Sequence, residues 1–192
     1  MKKLVVACAA ATAVLAVGTT ASADSFGETG QIAISSDLQL DFSYVSPHEG
    51  DSYVKLGINP ALDYFVSDNL SLGGHVGIGH VSREGAKATA FSVGPRFGYL
   101  LELSDAVHMW PKIGADFTYG KATLSVGGIS ADTSYTQLSI GLFAPITFSP
   151  TDNFFIGVGP NFSYEVMKKF EDADSQAGDL VIGLLSTVGG YF

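Results

Sequence analysis

The residues of this chain that could do chemistry are few and scattered. Its histidines are His48, His75, His80 and His108, and its one cysteine, Cys8, stands among the first ten residues. A metal site needs ligands that converge. These histidines are spread over three segments, His75 and His80 five residues apart on opposite phases of one, with no thiol beside them, so neither a metal nor any other cofactor is expected. One spacing is suggestive. In His80-Val81-Ser82 a period of two puts an imidazole and a hydroxyl on one face of an extended strand, and a base beside a hydroxyl is how a serine is made nucleophilic. The acidic run Glu171-Asp172-Ala173-Asp174, followed by Asp179, lacks the spacing of an EF-hand loop and reads as a solvated loop. What remains is a set of single charges among glycines and serines: Asp37, Asp41, Asp63, Glu102, Asp116 and Glu165 against Lys55, Arg96 and Lys112.

The composition restricts what can position these groups. Charged residues make up 15% of the 192, against about 25% in an ordinary globular chain. There are 23 glycines, which suit helix interiors poorly, and 13 Phe with 8 Tyr, which disorder would not supply. The formal charge of −9 repels phosphate backbones and excludes nucleic acid as a partner. At the N-terminus, Met1-Lys2-Lys3 is a positive start, Leu4 to Val17 an apolar run, and Ala21-Ser22-Ala23 a small-x-small cleavage site. The run is shorter than the ~20 residues a spanning helix needs. Residues 1–23 are therefore expected to be a cleaved signal peptide and residues 24–192 a single exported domain. Only four apolar residues precede Cys8, too few for a lipoprotein signal.

The exported part alternates with a period of two, eight times over. Ile32, Ile34, Leu38, Leu40, Phe42 and Tyr44 oppose Gln31, Ser35, Asp37, Gln39 and Asp41. Leu56, Ile58, Leu62, Tyr64 and Val66 oppose Lys55, Asn59 and Asp63. Segments around 70–78, 91–103, 109–119, 138–148, 154–165 and 180–192 repeat the pattern. Alternation over such lengths is the signature of strands with two unlike faces. Here the polar phase is rich in Gly and Ser and carries charges of both signs, as a narrow interior would, whereas a solvated face would carry Lys and Glu. The expected fold is all-β: an eight-stranded antiparallel up-and-down transmembrane β-barrel, apolar phase to lipid and polar phase to the lumen. The turns Ser67-Asp68-Asn69, Ser104-Asp105-Ala106 and 149–153 are short. The connections 45–52, 82–87, 126–134 and 168–179 are expected to be longer outside loops. Five mid-segment prolines (Pro60, Pro95, Pro111, Pro145 and Pro160) trouble this pattern, because proline removes a ladder donor. Bulges there would shift the facing by one residue.

In the barrel the single charges share the lumen. Lys55, Arg96 and Lys112 are each expected within ion-pair reach of Asp37, Asp41, Asp63, Glu102, Asp116 or Glu165, because an unpaired buried ion is costly. His75 and His108 are expected to be lumen groups bonded to carboxylates.

Tyr191-Phe192, with Val188, Leu184 and Ile182 alternating behind it, resembles the C-terminal signal read by the outer-membrane assembly machinery. With the eight segments it resembles the small eight-stranded outer-membrane barrels, the OmpA-transmembrane-domain and OmpX-like group; Gly190 departs from the bulkier residue usual there. This resemblance implies a bacterial outer-membrane location and a non-enzymatic, monomeric barrel with a structural, envelope-integrity or surface-interaction role. The implied partners are outer-membrane lipid and lipopolysaccharide and, during biogenesis, the assembly machinery. His80 and Ser82 resemble the His-x-Ser pair of lipid A deacylase barrels, which would make the chain a lipid-modifying enzyme, although Arg83-Glu84-Gly85 departs from that family's continuation. A small pore is the third reading, which a lumen filled by side chains disfavours.

Overall fold

The computed structural model describes residues 25–38, 53–83, 85–126, 129–171 and 180–192. The expected leader 1–23, Asp41, His48, the loop 45–52 and Asp172, Asp174 and Asp179 lie outside them. The strands are β1 (Ile32–Leu38), β2 (Tyr53–Ser67), β3 (Leu70–Arg83), β4 (Ala86–Tyr99), β5 (Leu101–Ser104), β6 (Val107–Met109), β7 (Lys112–Val126), β8 (Ile129–Phe143), β9 (Ile146–Thr151), β10 (Phe154–Phe170) and β11 (Leu180–Tyr191). Every pairing is antiparallel. The order β1-β2-β3-β4-β7-β8-β10-β11 returns to β1, so eight strands form a closed ring. Closure leaves no free edge, which is how a sheet satisfies its backbone in lipid. First and last strands meet through Ala33↔Tyr191 to Leu38↔Ser186. Just below, Ile32 and Phe192 exchange both backbone N–H···O bonds at 3.0 Å.

The three further strands are continuations broken at one level. Leu100 separates β4 from β5, Trp110-Pro111 separates β6 from β7, and Ala144-Pro145 separates β8 from β9. At these gaps the N–H of Tyr99 donates to the Pro111 carbonyl at 3.0 Å. That of Trp110 donates to Pro145 at 2.9 Å, and that of Ala144 to Pro160 at 3.0 Å. Each proline thus accepts where it cannot donate. The facing does not shift at the prolines, contrary to expectation, because two residues fall in each of the two proline gaps and a period of two survives a two-residue break. The one bulge between ring strands far from a turn lies instead at Glu165/Met167, where β10 meets β8. Pro60, Pro95 and Pro160 stand exposed on the outward phase.

The expected loops are corrected to strand at 82–83, 86–87, 126, 129–134 and 168–170. β3 and β4 stay paired through Arg83↔Ala86, and β7 and β8 through Val126↔Ile129. Thr and Ser alternating with Ala and Leu in these stretches suit a pleated ladder, and the hairpins run on past the apolar part of their outward faces. At the other end, Asn69 (φ 67°) and Asn153 (φ 70°) take the left-handed conformation that closes the short turns after Asp68 and Asp152. Asparagine tolerates that region better than other non-glycine residues. These turns lie at the barrel end that holds Ser25 and Phe192, called here the terminal end.

The two phases face as alternation requires. Outward, Ile58, Leu62, Tyr64, Leu72, Val76, Ile78, Phe91, Val93, Phe97, Ile113, Phe117, Ile140, Leu142, Ile156, Val158 and Phe162 are all exposed, Ile140 at 49% and Val158 at 56%. Inward, Ser35, Asp63, Ser71, Arg96, Lys112, Ser139, Thr147 and Thr187 are buried. A water-soluble barrel would invert this.

Candidate functional site

The inward phase of the ring builds the lumen in tiers. The lowest, at the terminal end, is aromatic. Phe65 at the end of β2, Trp110 between β6 and β7, Phe155 at the start of β10 and Tyr191 at the end of β11 converge on Phe26, which precedes β1. Phe26 stacks on Tyr191 with centroids 4.5 Å apart and on Phe155 at 5.1 Å. It meets Trp110, His108 and Phe65 edge-on at 5.3, 5.5 and 5.7 Å. Both geometries suit the ring quadrupole. The segment 25–31 is tied in place by its backbone: Gly30 N–H donates to the Phe65 carbonyl, Phe65 N–H to Gln31, and Asn69 N–H to Gly27, at 2.7–2.9 Å. Gln31 folds back onto the Gly27 N–H and the Ser25 carbonyl, each at 2.9 Å. Thr29 donates to Asp68 Oδ1 from its hydroxyl at 2.6 Å and its N–H at 3.1 Å, and these donors hold the Asp68 carboxyl below its ordinary pKa.

Above the rings lies an ionic tier. Arg96 on β4 donates from Nε to Asp63 Oδ1 at 2.8 Å and from Nη2 to the second Asp63 oxygen. Its Nη1 reaches Asp37 Oδ2 at 2.8 Å, and Nη2 also reaches Ser35 Oγ at 3.0 Å. Lys112 on β7 completes the group, with Nζ 3.5 Å from Asp37 Oδ1 and 4.4 and 5.1 Å from the ring centroids of Trp110 and Phe143. Two cations and two carboxylates cancel inside the wall. The planar guanidinium fork is what lets one cation serve two carboxylates. Space here is tight: a Cβ at Gly98 would come within 2.6 Å of both Ser71 Oγ and Trp110 Nε1.

Higher up, His75 Nε2 pairs with Asp116. Lys168 lies 3.6 Å from Glu165, and 5.6 and 5.7 Å from the ring centroids of Tyr135 and Phe170. The upper lumen holds a cavity of about 290 Å³ whose lining includes Asn59, Ser92, Thr118, Tyr135 and Gln137.

Of the nine charges expected to share one network, the structure joins Asp37, Asp63, Arg96 and Lys112. Asp116 pairs with histidine and Glu165 with Lys168, each in its own tier. Glu102 is exposed on β5, beyond the aromatic seal, where the inward face of the strand opens to solvent. His108 packs its ring on Phe26 rather than on a carboxylate. Lys55 is placed on β2 by its backbone alone. Asp41 lies outside the described residues. Tyr191 points inward to the aromatic tier, and Phe192 is half-buried beside it.

His80 and Ser82 share the outward face of β3, opposite Thr89 and Lys87. The imidazole Nδ1 is bonded to Thr89 Oγ1 at 2.9 Å, and no hydrogen bond joins His80 to Ser82. A nucleophile needs its base in contact; here the imidazole is turned to Thr89 instead. Among the described residues no three His, Cys, Asp or Glu side chains converge as metal ligands.

Sequence reasoning overlooked Phe26, because no periodicity marks a residue ahead of the first strand. The parity of Phe65, Trp110, Phe155 and Tyr191 was the available signal: four large rings in a phase otherwise made of Gly, Ser and charge require something to pack on.

The profile of the family described as outer membrane protein beta-barrel domain matches residues 6–184. No curated protein matches the sequence. Among solved structures, a major outer membrane protein from Thermus thermophilus is similar in fold, with TM-score 0.57 and 10% identity over 86% of this chain and 100% of that one. The N-terminal β-barrel domain of Pseudomonas aeruginosa OprF follows at TM-score 0.48 and 18% identity, covering 85% and 98%. Ail, the attachment invasion locus protein of Yersinia pestis, gives 0.48 and 21% over the same shares.

Proposed function

The chain belongs to the outer membrane protein β-barrel domain family, and from that premise we propose that it is a non-catalytic, non-conducting barrel serving envelope integrity or surface interaction. One observation carries this reading: the lumen is filled at two successive levels, by the Phe26 aromatic tier and by the neutral Arg96–Asp63–Asp37–Lys112 tier. Eight strands enclose a space that side chains can fill, and a buried ion quartet with balanced charge has little reason to open. The terminal end then faces the periplasm, as short turns do in this architecture. Residues 1–23 serve as the export leader and 24–192 as the barrel domain. Tyr191-Phe192 engages the assembly machinery before the barrel closes. The mature barrel is a monomer whose partners are outer-membrane lipid and lipopolysaccharide.

The test is genetic. Cells lacking the gene should lose resistance to detergent and large antibiotics, and a His80→Ala, Ser82→Ala double variant should restore it as fully as the parent. An unchanged barrier in the deletion strain would refute the envelope role. Failure of the double variant to restore it, with lipid A hydrolysis by the purified parent, would establish the deacylase instead.

A further inference from the structure

The outward faces of five neighbouring strands change from apolar to polar together. Val76, Val93, Phe117, Leu138 and Met167 lie in one register row. The next row holds Ile78, Phe91, Tyr119, Thr136 and Lys169, and the one after it His80, Thr89, Lys121 and Ser134. Lys87 and Thr123 stand opposite one another one step further. Lys87, Lys121 and Lys169 are exposed, and among the described residues none is ion-paired. The cross-strand register makes Lys87 and Lys121 diagonal neighbours on one face of the β4–β7 pair, a separation of about 7–8 Å over which two flexible ammonium groups can reach one anion. The threonines Thr89 and Thr123 stand between them. Among the described residues the nearby acidic groups are Asp132 and Glu171, also exposed on this face, Asp132 opposite Thr123 and Glu171 beside Ser134.

Two contrasts set this strip apart from an ordinary charged surface. The chain as a whole carries −9, yet these exposed cations gather at one end and one side, while the outward residues of β11 stay apolar up to Leu180. At the terminal end the exposed ionisable residues are Asp68, Glu102, Asp105 and Asp152, with half-buried Glu28 beside them and no exposed lysine or arginine among the described residues there. The cations therefore lie where the apolar belt ends, on the side away from the termini.

We propose that Lys87 and Lys121, flanked by Thr89, Thr123 and Tyr119 and joined by Lys169, bind a phosphate group of a lipid A-type glycolipid of the outer leaflet. The acyl chains of that lipid lie along the belt formed by Val93, Phe91 and Phe117. This deepens the reading of the barrel as an outer-membrane protein and rests on its orientation. Lysine acts here as a point charge on phosphate, reinforced by the threonine hydroxyls.

The experiment measures binding of diphosphoryl lipid A, and of the same lipid with its phosphates removed, to the refolded mature chain in neutral detergent by native mass spectrometry. The parent should prefer the phosphorylated lipid. Lys87→Gln with Lys121→Gln should weaken that binding about 10- to 30-fold and abolish the preference, whereas Lys168→Gln, on the inward face, should leave it intact. Equal binding by parent and double variant, or no preference in the parent, would overturn the strip. Should the double variant not fold, Lys121→Gln alone decides by the same ratio. A parent that does not show heat-modifiable gel mobility would instead refute the membrane barrel itself, so the two failures are distinguishable.

Discussion

Replacing Arg96 with Met removes the one cation of the ionic tier that is bonded to both Asp63 and Asp37. Asp63 is 0% exposed, and its two oxygens take the Nε and Nη2 donors. Asp37 keeps Lys112, 3.5 Å away. The quartet goes from balanced to one excess negative charge, and the uncompensated group is Asp63. Breaking a buried pair from one side costs about 3–5 kcal/mol, whereas removing both partners is far milder. Arg96→Met with Asp63→Asn restores the balance and leaves at most an unsatisfied amide, about 1–3 kcal/mol. The double variant should therefore be more stable than the single one. Trp110, the only tryptophan, stacks in the aromatic tier beside Lys112 and reports on the lumen. Urea unfolding of the refolded barrel in micelles, followed by its fluorescence, measures all three proteins. A single variant as stable as the parent, or a double variant no better than the single, would refute the charge-balance reasoning.

Phe26→Ala should cost about 3–5 kcal/mol in the same assay and expose residues 25–31 to protease. Ile140→Lys and Val158→Lys, at exposed outward positions, should each cost about 2–4 kcal/mol in liposomes if mid-belt, while little change would invert the facing. Gly98→Ala should cost about 1–3 kcal/mol by overpacking, because its Cβ meets Ser71 and Trp110, and should break the 3.3 Å Trp110–Ser71 hydrogen bond. Asp68, held below its ordinary pKa by Thr29, contributes stability above the unfolded value that is lost as pH falls through the folded one. The protection factor of the Thr29 amide, its exchange rate relative to an unstructured amide at the same pH, should therefore fall at low pH in the parent and already be low at neutral pH in Asp68→Asn.

Most of the fold was legible because a period of two leaves a mark on every strand. The inward placement of Asp37, Asp63, Arg96 and Lys112 followed from parity alone, as did the outward placement of Ile140 and Val158. What parity does not carry is height along the barrel. Asp116, Glu165 and Glu102 share the inward phase with Arg96, yet strand tilt and length set them in other tiers or beyond the seal. Loop-like composition likewise concealed the upper ends of β3, β4, β7 and β8, where Ser and Thr serve a ladder as well as they serve a turn. Phe26 was illegible for a different reason: its place is fixed by rings brought together from four distant strands.

Single-channel recording tests the closed lumen most directly. The purified mature barrel, refolded and inserted in planar bilayers, should give no stepwise conductance, and opening steps should appear only when both tiers are weakened, as in Phe26→Ala with Arg96→Met. Steady unitary currents from the parent would contradict the closed lumen and make the chain a small pore.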